Sequence, residues 1–206
     1  MTTIVDYGCG NLGSIQNMLK KIGEKSIITS DVKIIEQSTR LVLPGVGSFD
    51  YGINNLIDYN LRDILTRKCK IDNIPILGVC LGTQLMTKFS EEGSLKGLGF
   101  VDASTIKFNF KAENNLSLPN IGWRKIEIKK ESPLFEGFTH ETWFYFVHKY
   151  HLQTNKTKLI SSVSNYGYEF ISSIEFNNLV GVQFHPEKSH KFGLQLFKNF
   201  LNNYEY

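Results

Sequence analysis

Apolar residues in the first half of the chain alternate between two spacings. Thr2–Asp6 carries a short apolar run that ends in a Gly-rich turn, and Ile15, Met18, Leu19 and Ile22 then recur at helical intervals. Ser26–Thr29 reads as a second strand, and Leu41–Leu43 as a third that stops at Pro44. Ile53, Leu56, Ile57, Leu61, Ile64 and Leu65 predict further helix, broken near Asn60. Ile74–Val79 is a continuous apolar stretch, the pattern of a strand buried on both faces. Strands alternating with helices predict a parallel sheet covered on both sides.

The second half has a different rhythm. Ile126–Ile128, Trp143–Val147, Leu159–Val163, Tyr168–Ile174 and Leu179–Phe184 read as strands with few helices between them. Phe192, Leu196, Phe197, Phe200 and Leu201 then predict an amphipathic closing helix. With no internal repeat, low-complexity tract or linker, residues 1–206 are expected to form one domain. The expected architecture is α/β: an open, mostly parallel central sheet of flavodoxin-like type, helices on both faces, and an antiparallel extension.

Composition adds exclusions. A formal net charge of +3, with scattered Lys and Arg, gives no basic footprint for nucleic acid. No apolar run approaches a membrane span, and the N-terminus reads into a strand rather than a signal peptide. Three widely spaced cysteines, Cys9, Cys69 and Cys80, fit a reducing cytoplasm better than a disulfide framework. A cytoplasmic chain is therefore expected, in which each thiol is judged by its surroundings.

Those surroundings single out Cys80. In Gly78-Val79-Cys80-Leu81-Gly82, a buried strand runs into the cysteine, a helical segment follows, and glycines stand two positions either side. This is the spacing of a nucleophile elbow, in which a sharp turn leaves no room for flanking side chains and lifts the nucleophile clear of the sheet. At the start of a helix, unpaired N–H groups favour the thiolate. The plain alternative is a small core residue closing a strand, which is the reading kept for Cys9 and Cys69.

A cysteine nucleophile needs a base, and the base an orienting group. Phe184-His185-Pro186-Glu187 supplies both: Pro186 pushes His185 into extended backbone, where residues two apart project to one side. His148 and His151 are three apart and expected to face opposite sides of a strand. No Cys or carboxylate completes a ligand set with them, so neither a metal nor another cofactor is expected. Gly8-Cys9-Gly10-Asn11-Leu12-Gly13 spells a G-x-G-x-x-G turn, with Asp31 after the second strand, which opens the alternative of a non-catalytic dinucleotide-binding module. That alternative leaves the elbow and the His-Pro-Glu unit without a role.

Gly78-Val79-Cys80-Leu81-Gly82-Thr83-Gln84 and Phe184-His185-Pro186-Glu187-Lys188-Ser189 resemble the class I (triad) glutamine amidotransferases. Val5-Asp6-Tyr7-Gly8, the loop Leu43-Pro44-Gly45-Val46-Gly47-Ser48-Phe49, Ile121-Gly122-Trp123 and Tyr145-Phe146-Val147-His148 narrow the likeness to the glutaminase subunits of imidazole glycerol phosphate synthases. It runs nearly end to end. The resemblance implies that Cys80 attacks the carboxamide of glutamine, with His185 as base and Glu187 orienting it. It further implies oxyanion donors at Leu81 and in the Pro44–Gly47 loop at Val46, with Gly47 providing backbone freedom, and Gln84 beside the substrate. Ammonia would pass to a (β/α)8-barrel cyclase subunit of histidine biosynthesis, with Trp123, His148 and Lys188 near that interface. Arg124 stands where asparagine is expected and Thr83 where methionine is usual. Arg124 leaves open an alternative route in which a homologous pair supplies ammonia for amidination of a surface-polysaccharide sugar.

Overall fold

The computed structural model describes residues 1–110 and 116–204. Its first half follows the βα alternation: β1 (Thr2–Val5), α1 (Leu12–Lys21), β2 (Ser26–Thr29), α2 (Val32–Glu36), β3 (Arg40–Leu43), α3 (Phe49–Asp58), α4 (Leu61–Lys70), β4 (Ile76–Val79) and α5 (Leu81–Leu85). β5 (Ser104–Lys107), β6 (Asn120–Ile128), β7 (Trp143–His148), β8 (Tyr150–Gln153), β9 (Ile160–Asn165), β10 (Glu169–Phe176) and β11 (Leu179–Val182) follow, and α6 (His190–Asn203) closes the chain. Asn60 adopts left-handed backbone (φ 57), which separates α3 from α4 where the periodicity breaks. Asn11 caps α1 by accepting the Ser14 N–H at 3.3 Å.

The strands form one sheet in which nine follow the order β2-β1-β3-β4-β11-β10-β9-β6-β7, while β8 pairs with β10 and with β5. β2, β1, β3, β4 and β11 run parallel, and β11-β10, β10-β9, β9-β6 and β6-β7 pair antiparallel. The mostly parallel sheet and its antiparallel extension are thus both present. Successive residues of the parallel strands serve opposite faces. Val5, Leu41, Leu43, Ile76 and Leu179 pack with α2, α3 and α4, whereas Ile4, Val42, Leu77, Val79, Val180 and Val182 pack with α1 and α6. Burial on both faces is why these strands carry no polar alternation. The second core is largely aromatic, with the Phe144 and Phe184 rings stacked at 3.9 Å between centroids.

Several elements depart from the periodicity reading. β4 begins at Ile76 rather than Ile74, because Pro75 has no N–H to donate to a ladder; its carbonyl instead accepts the Leu41 N–H at 2.9 Å. β6 begins at Asn120, well before Ile126, since its inner face opens with Asn120, Gly122 and Arg124, which give no apolar signal. β5 and β8 carry no apolar periodicity; each is four residues long with polar positions at its ends. The expected opposition of His148 and His151 is overturned. The chain turns between β7 and β8 at Lys149, and both rings pack on Phe108, at 5.3 and 4.6 Å between centroids.

Candidate active site

β4 delivers Cys80 at its carboxyl end in a strained conformation, φ 50 and ψ −109, before α5 begins. Close packing around it explains the glycines. A Cβ on Gly82 would lie 1.8 Å from the Leu43 carbonyl oxygen, and one on Gly78 would lie 2.6 Å from the Met86 sulfur and 2.9 Å from the Thr83 backbone. The loop after β3 is pressed on the same turn, since a Cβ on Gly45 would lie 2.6 Å from the Gly82 nitrogen. Tyr7, fully buried after β1, donates its phenol hydrogen to the Pro44 carbonyl, and so ties the Pro44–Gly47 loop to the sheet beside the elbow. Thr83 ties α5 to β11 through a 2.8 Å bond from its hydroxyl to the Val182 carbonyl.

β11, hydrogen-bonded beside β4 with Val182 level with Val79, runs on to His185. The His185 N–H donates to the Tyr145 carbonyl at 2.8 Å. The Ser189 hydroxyl donates to the His185 carbonyl at 2.6 Å and accepts the Tyr145 N–H at 3.0 Å. Glu187 reaches the imidazole by a different local path from the extended one expected. Only His185 is extended; Pro186–Lys188 form a 3-10 turn that folds the carboxylate back. Glu187 Oε1 lies 2.7 Å from His185 Nδ1, with the two side chains only 2% and 1% exposed. The other ring nitrogen, Nε2, is buried and makes no well-directed hydrogen bond, and the ring lines a cavity with Cys80. Burial alone would lower the His185 pKa, but charge on the Cys80 sulfur, and after it the Glu187 carboxylate, raise it to about 10. The arrangement suits an imidazolium at His185. By contrast burial pushes the Cys69 thiol up to about 11, and it raises the Cys9 thiol too. Neither thiol is shaped as a nucleophile.

The cavity, about 280 Å³, is lined by Cys80, His185, Val46, Gly47, Leu81 and Gln84, and further by Glu92, Pro119, Val147, His148, Lys149 and Tyr150. All the residues expected from the sequence at the nucleophile, base and substrate loop therefore meet at one small cleft, with Glu187 behind His185. Gly47 has φ 133, a left-handed value that strains any side chain. A larger cavity of about 570 Å³, between β6, β9 and Phe138–His140, shares no lining residue with this cleft and contains no cysteine.

Two contributors lacked an obvious sequence signal. Gln183 is completely buried and points its amide at the Cys80 sulfur, 3.7 Å away. Its oxygen accepts from Gln84 Nε2 at 3.2 Å, and Gln84 also donates to the Tyr150 carbonyl at 3.2 Å. A polar residue inside the apolar run Leu179–Phe184 was the available clue. Glu92 accepts the Phe49 N–H at 2.9 Å, and burial raises its pKa. In sequence it looks like one of a solvated pair with Glu91.

Of the residues expected near a partner surface, Trp123 is 40% exposed, stacks on His190 at 5.6 Å between centroids, and touches Tyr145 edge-on. Lys188 Nζ lies 5.7 Å from the Tyr145 ring centroid, on the same patch. His148 is not on it: the side chain is buried on the cavity wall. The dinucleotide alternative loses its acid, because Asp31 caps α2 by accepting the Lys33 N–H at 2.8 Å. Gly10 is also packed against Pro44 and Gly45, with 3.1 Å left for a Cβ. Among the described residues no group of three or more His, Cys, Asp or Glu is placed to hold a metal ion, and no helix is long and apolar enough to cross a membrane.

Residues 3–204 match the family model described as glutamine amidotransferase class-I. The chain is 47% identical over 201 residues to the imidazole glycerol phosphate synthase subunit HisH 2 of Methanococcus maripaludis, covering 98% of each. It is 41% identical over 201 residues to the protein of the same name in Pseudomonas aeruginosa, again covering 98% of each. Among solved structures, one described as a glutamine amidotransferase superposes with a TM-score of 0.71 over 97% of this chain and 96% of that one, at 17% identity.

Proposed function

The chain belongs to the class-I glutamine amidotransferases and, within them, to the HisH subunits of imidazole glycerol phosphate synthase, and from that premise we propose how its cavity works. It hydrolyses glutamine to glutamate and ammonia, and hands the ammonia to a (β/α)8-barrel cyclase subunit. None of the relatives named above is described as acting on a sugar, so the amidination route has no support from them. The observation that carries the mechanism is the meeting of Cys80 with the buried His185–Glu187 pair on the wall of one cleft.

The Cys80 sulfur, as thiolate, attacks the glutamine carboxamide carbon. The negative oxygen that forms is held by backbone N–H groups of Leu81 and Val46, residues that line the cleft beside the sulfur. His185, protonated at rest and steadied at Nδ1 by Glu187, gives its Nε2 proton to the leaving nitrogen. The C–N bond breaks, ammonia departs and a glutamyl thioester remains. Neutral His185 then takes a proton from water, whose oxygen attacks the thioester; collapse releases glutamate and restores the thiolate. Glu92 and Lys149 give the cleft one carboxylate and one ammonium, a match for the opposite charges at the α-carbon of glutamine.

Trp123, Tyr145 and Lys188 present an aromatic and cationic patch suited to a barrel partner. Ammonia in neutral water is mostly ammonium and no longer nucleophilic, so a route enclosed by a partner has a chemical purpose. The test is to supply the purified chain with glutamine, the ribonucleotide and the cyclase partner, and to measure glutamate and the imidazole product. The expected result is glutamate release that rises with the partner and vanishes in Cys80→Ala. Glutamate release surviving in Cys80→Ala would overturn the mechanism.

A further inference from the structure

A directed chain of hydrogen bonds enters the cavity wall from a residue the reaction itself does not require. Arg124 shares the inner face of β6 with Asn120 and, with no side chain on the intervening Gly122, its Nε reaches Asn120 Oδ1 at 2.9 Å. Its guanidinium lies 4.5 Å from the Tyr166 ring centroid, which fixes its plane. Asn120, fully buried, meets His148 Nε2 at 3.0 Å, and His148 Nδ1 meets the Tyr150 carbonyl at 2.8 Å.

The direction of every bond follows from the first. A guanidinium only donates, so the Asn120 oxygen faces Arg124 and its NH2 faces His148. An NH2 only donates, so His148 Nε2 carries the lone pair. A carbonyl only accepts, so Nδ1 carries the proton. We infer that Arg124 is a positioning residue which, through Asn120, locks His148 as the neutral Nδ1–H tautomer on the cavity wall.

The lock leaves one positive imidazole at the site. His148 is faced by His185, by His151 of β8 and by Arg124 of β6, and it shares the cavity with Glu92 and Lys149. Burial first, and then the proximity of His151, His185 and Arg124, hold its pKa at about 3, against the pull of the Tyr150 carbonyl. A second imidazolium beside His185 would compete for the charge that His185 needs. The same Tyr150 carbonyl anchors Gln84, whose partner Gln183 reaches the Cys80 sulfur, so wall and nucleophile share one anchor. The catalytic consequence rests on the glutaminase reading; the tautomer does not.

Nitrogen-15 spectra of the full chain, labelled at histidine and followed from pH 5 to 8, test this directly. Wild-type His148 should stay neutral with its proton on Nδ1. Arg124→Met frees the Asn120 amide to turn its oxygen toward His148, so mixed Nδ1–H and Nε2–H tautomers are expected. Arg124→Lys keeps a donor and should keep the wild-type signature. An Nε2–H tautomer in the wild type, or an Arg124→Met spectrum identical to wild type, would overturn the proposal. The wild-type spectrum alone can do so, whether or not the variant folds. Failure of the same sample to hydrolyse glutamine with its partner, the tautomer intact, would count against the glutaminase reading only.

Discussion

Glu187 and His185 lie two positions apart, are joined at 2.7 Å, and are almost wholly enclosed. A carboxylate so placed fixes which imidazole nitrogen faces the sulfur and stabilises the ring when it is protonated. Its removal leaves the geometry of the cleft but not the charge. Glu187→Gln should fold, bind glutamine, and lose about 10²–10⁴-fold in kcat with a smaller change in KM. Steady-state glutamate release in the presence of the partner measures this, and an unchanged kcat would contradict it.

The same pair sets a pH window for stability. His185 has a folded pKa of about 10 against an ordinary 6.5. The stabilisation it brings is therefore fully present below about pH 6.5 and is lost as the pH rises toward 10. Urea midpoints measured from pH 6 to 10 should fall more steeply for the wild type than for Cys80→Ser, which lacks the charge that most raises this pKa. Parallel curves would refute the coupling.

His148 acts on the acid side with the opposite sign. Its folded pKa of about 3 lies below the ordinary 6.5, so between these values the unfolded chain binds a proton that the folded chain refuses. His148 therefore lowers stability by about 1.4 kcal/mol for each pH unit of acidification below 6.5. His148→Gln should flatten the acid limb by that slope, read as the difference between the two proteins' denaturation midpoints.

The elbow tolerates no side chain at Gly82, where a Cβ would meet the Leu43 carbonyl at 1.8 Å. Because the obstacle is backbone rather than a flexible side chain, Gly82→Ala should cost at least the roughly 1–3 kcal/mol typical of overpacking. A Gly23→Ala control, at a position with open space but φ 85, separates crowding from backbone strain. Thermal unfolding of both variants decides the matter.

Trp123 is half-exposed on the patch it shares with Lys188. Trp123→Ala should weaken association with the cyclase subunit by about 1–2 kcal/mol, roughly five- to thirtyfold in Kd. Alkylation of Cys80 in the isolated chain should be unaffected. Titration calorimetry and labelling kinetics, run side by side, read the two effects separately.

The parallel half of the sheet was legible because burial on both faces leaves runs such as Ile76–Val79 without polar interruption, and because Asn60 and Pro44 break the pattern where the backbone turns. The elbow was legible because crowding at a strand-to-helix turn demands glycine at fixed offsets. β5 and β8 were hidden because their ends are polar and their partners distant. The position of His148 was hidden for a related reason: a turn at Lys149 puts two histidines on separate strands, which no single-strand alternation can describe. The Gln84–Gln183 link joins side chains brought together only by the pairing of β4 with β11, so spacing along the chain carried no trace of it.

That pairing has a consequence for how the molecule comes into being. Val79 stands level with Val182, and the Cys80 N–H is bonded to the Val182 carbonyl at 2.8 Å. Nucleophile and base are thus neighbours only across a ladder whose two rails lie far apart along the polypeptide, and β11 must slot in after most of the chain has been made. Competence for chemistry should therefore arrive all at once and late in synthesis, so that a nascent or truncated polypeptide carries the cysteine harmlessly and spills no ammonia.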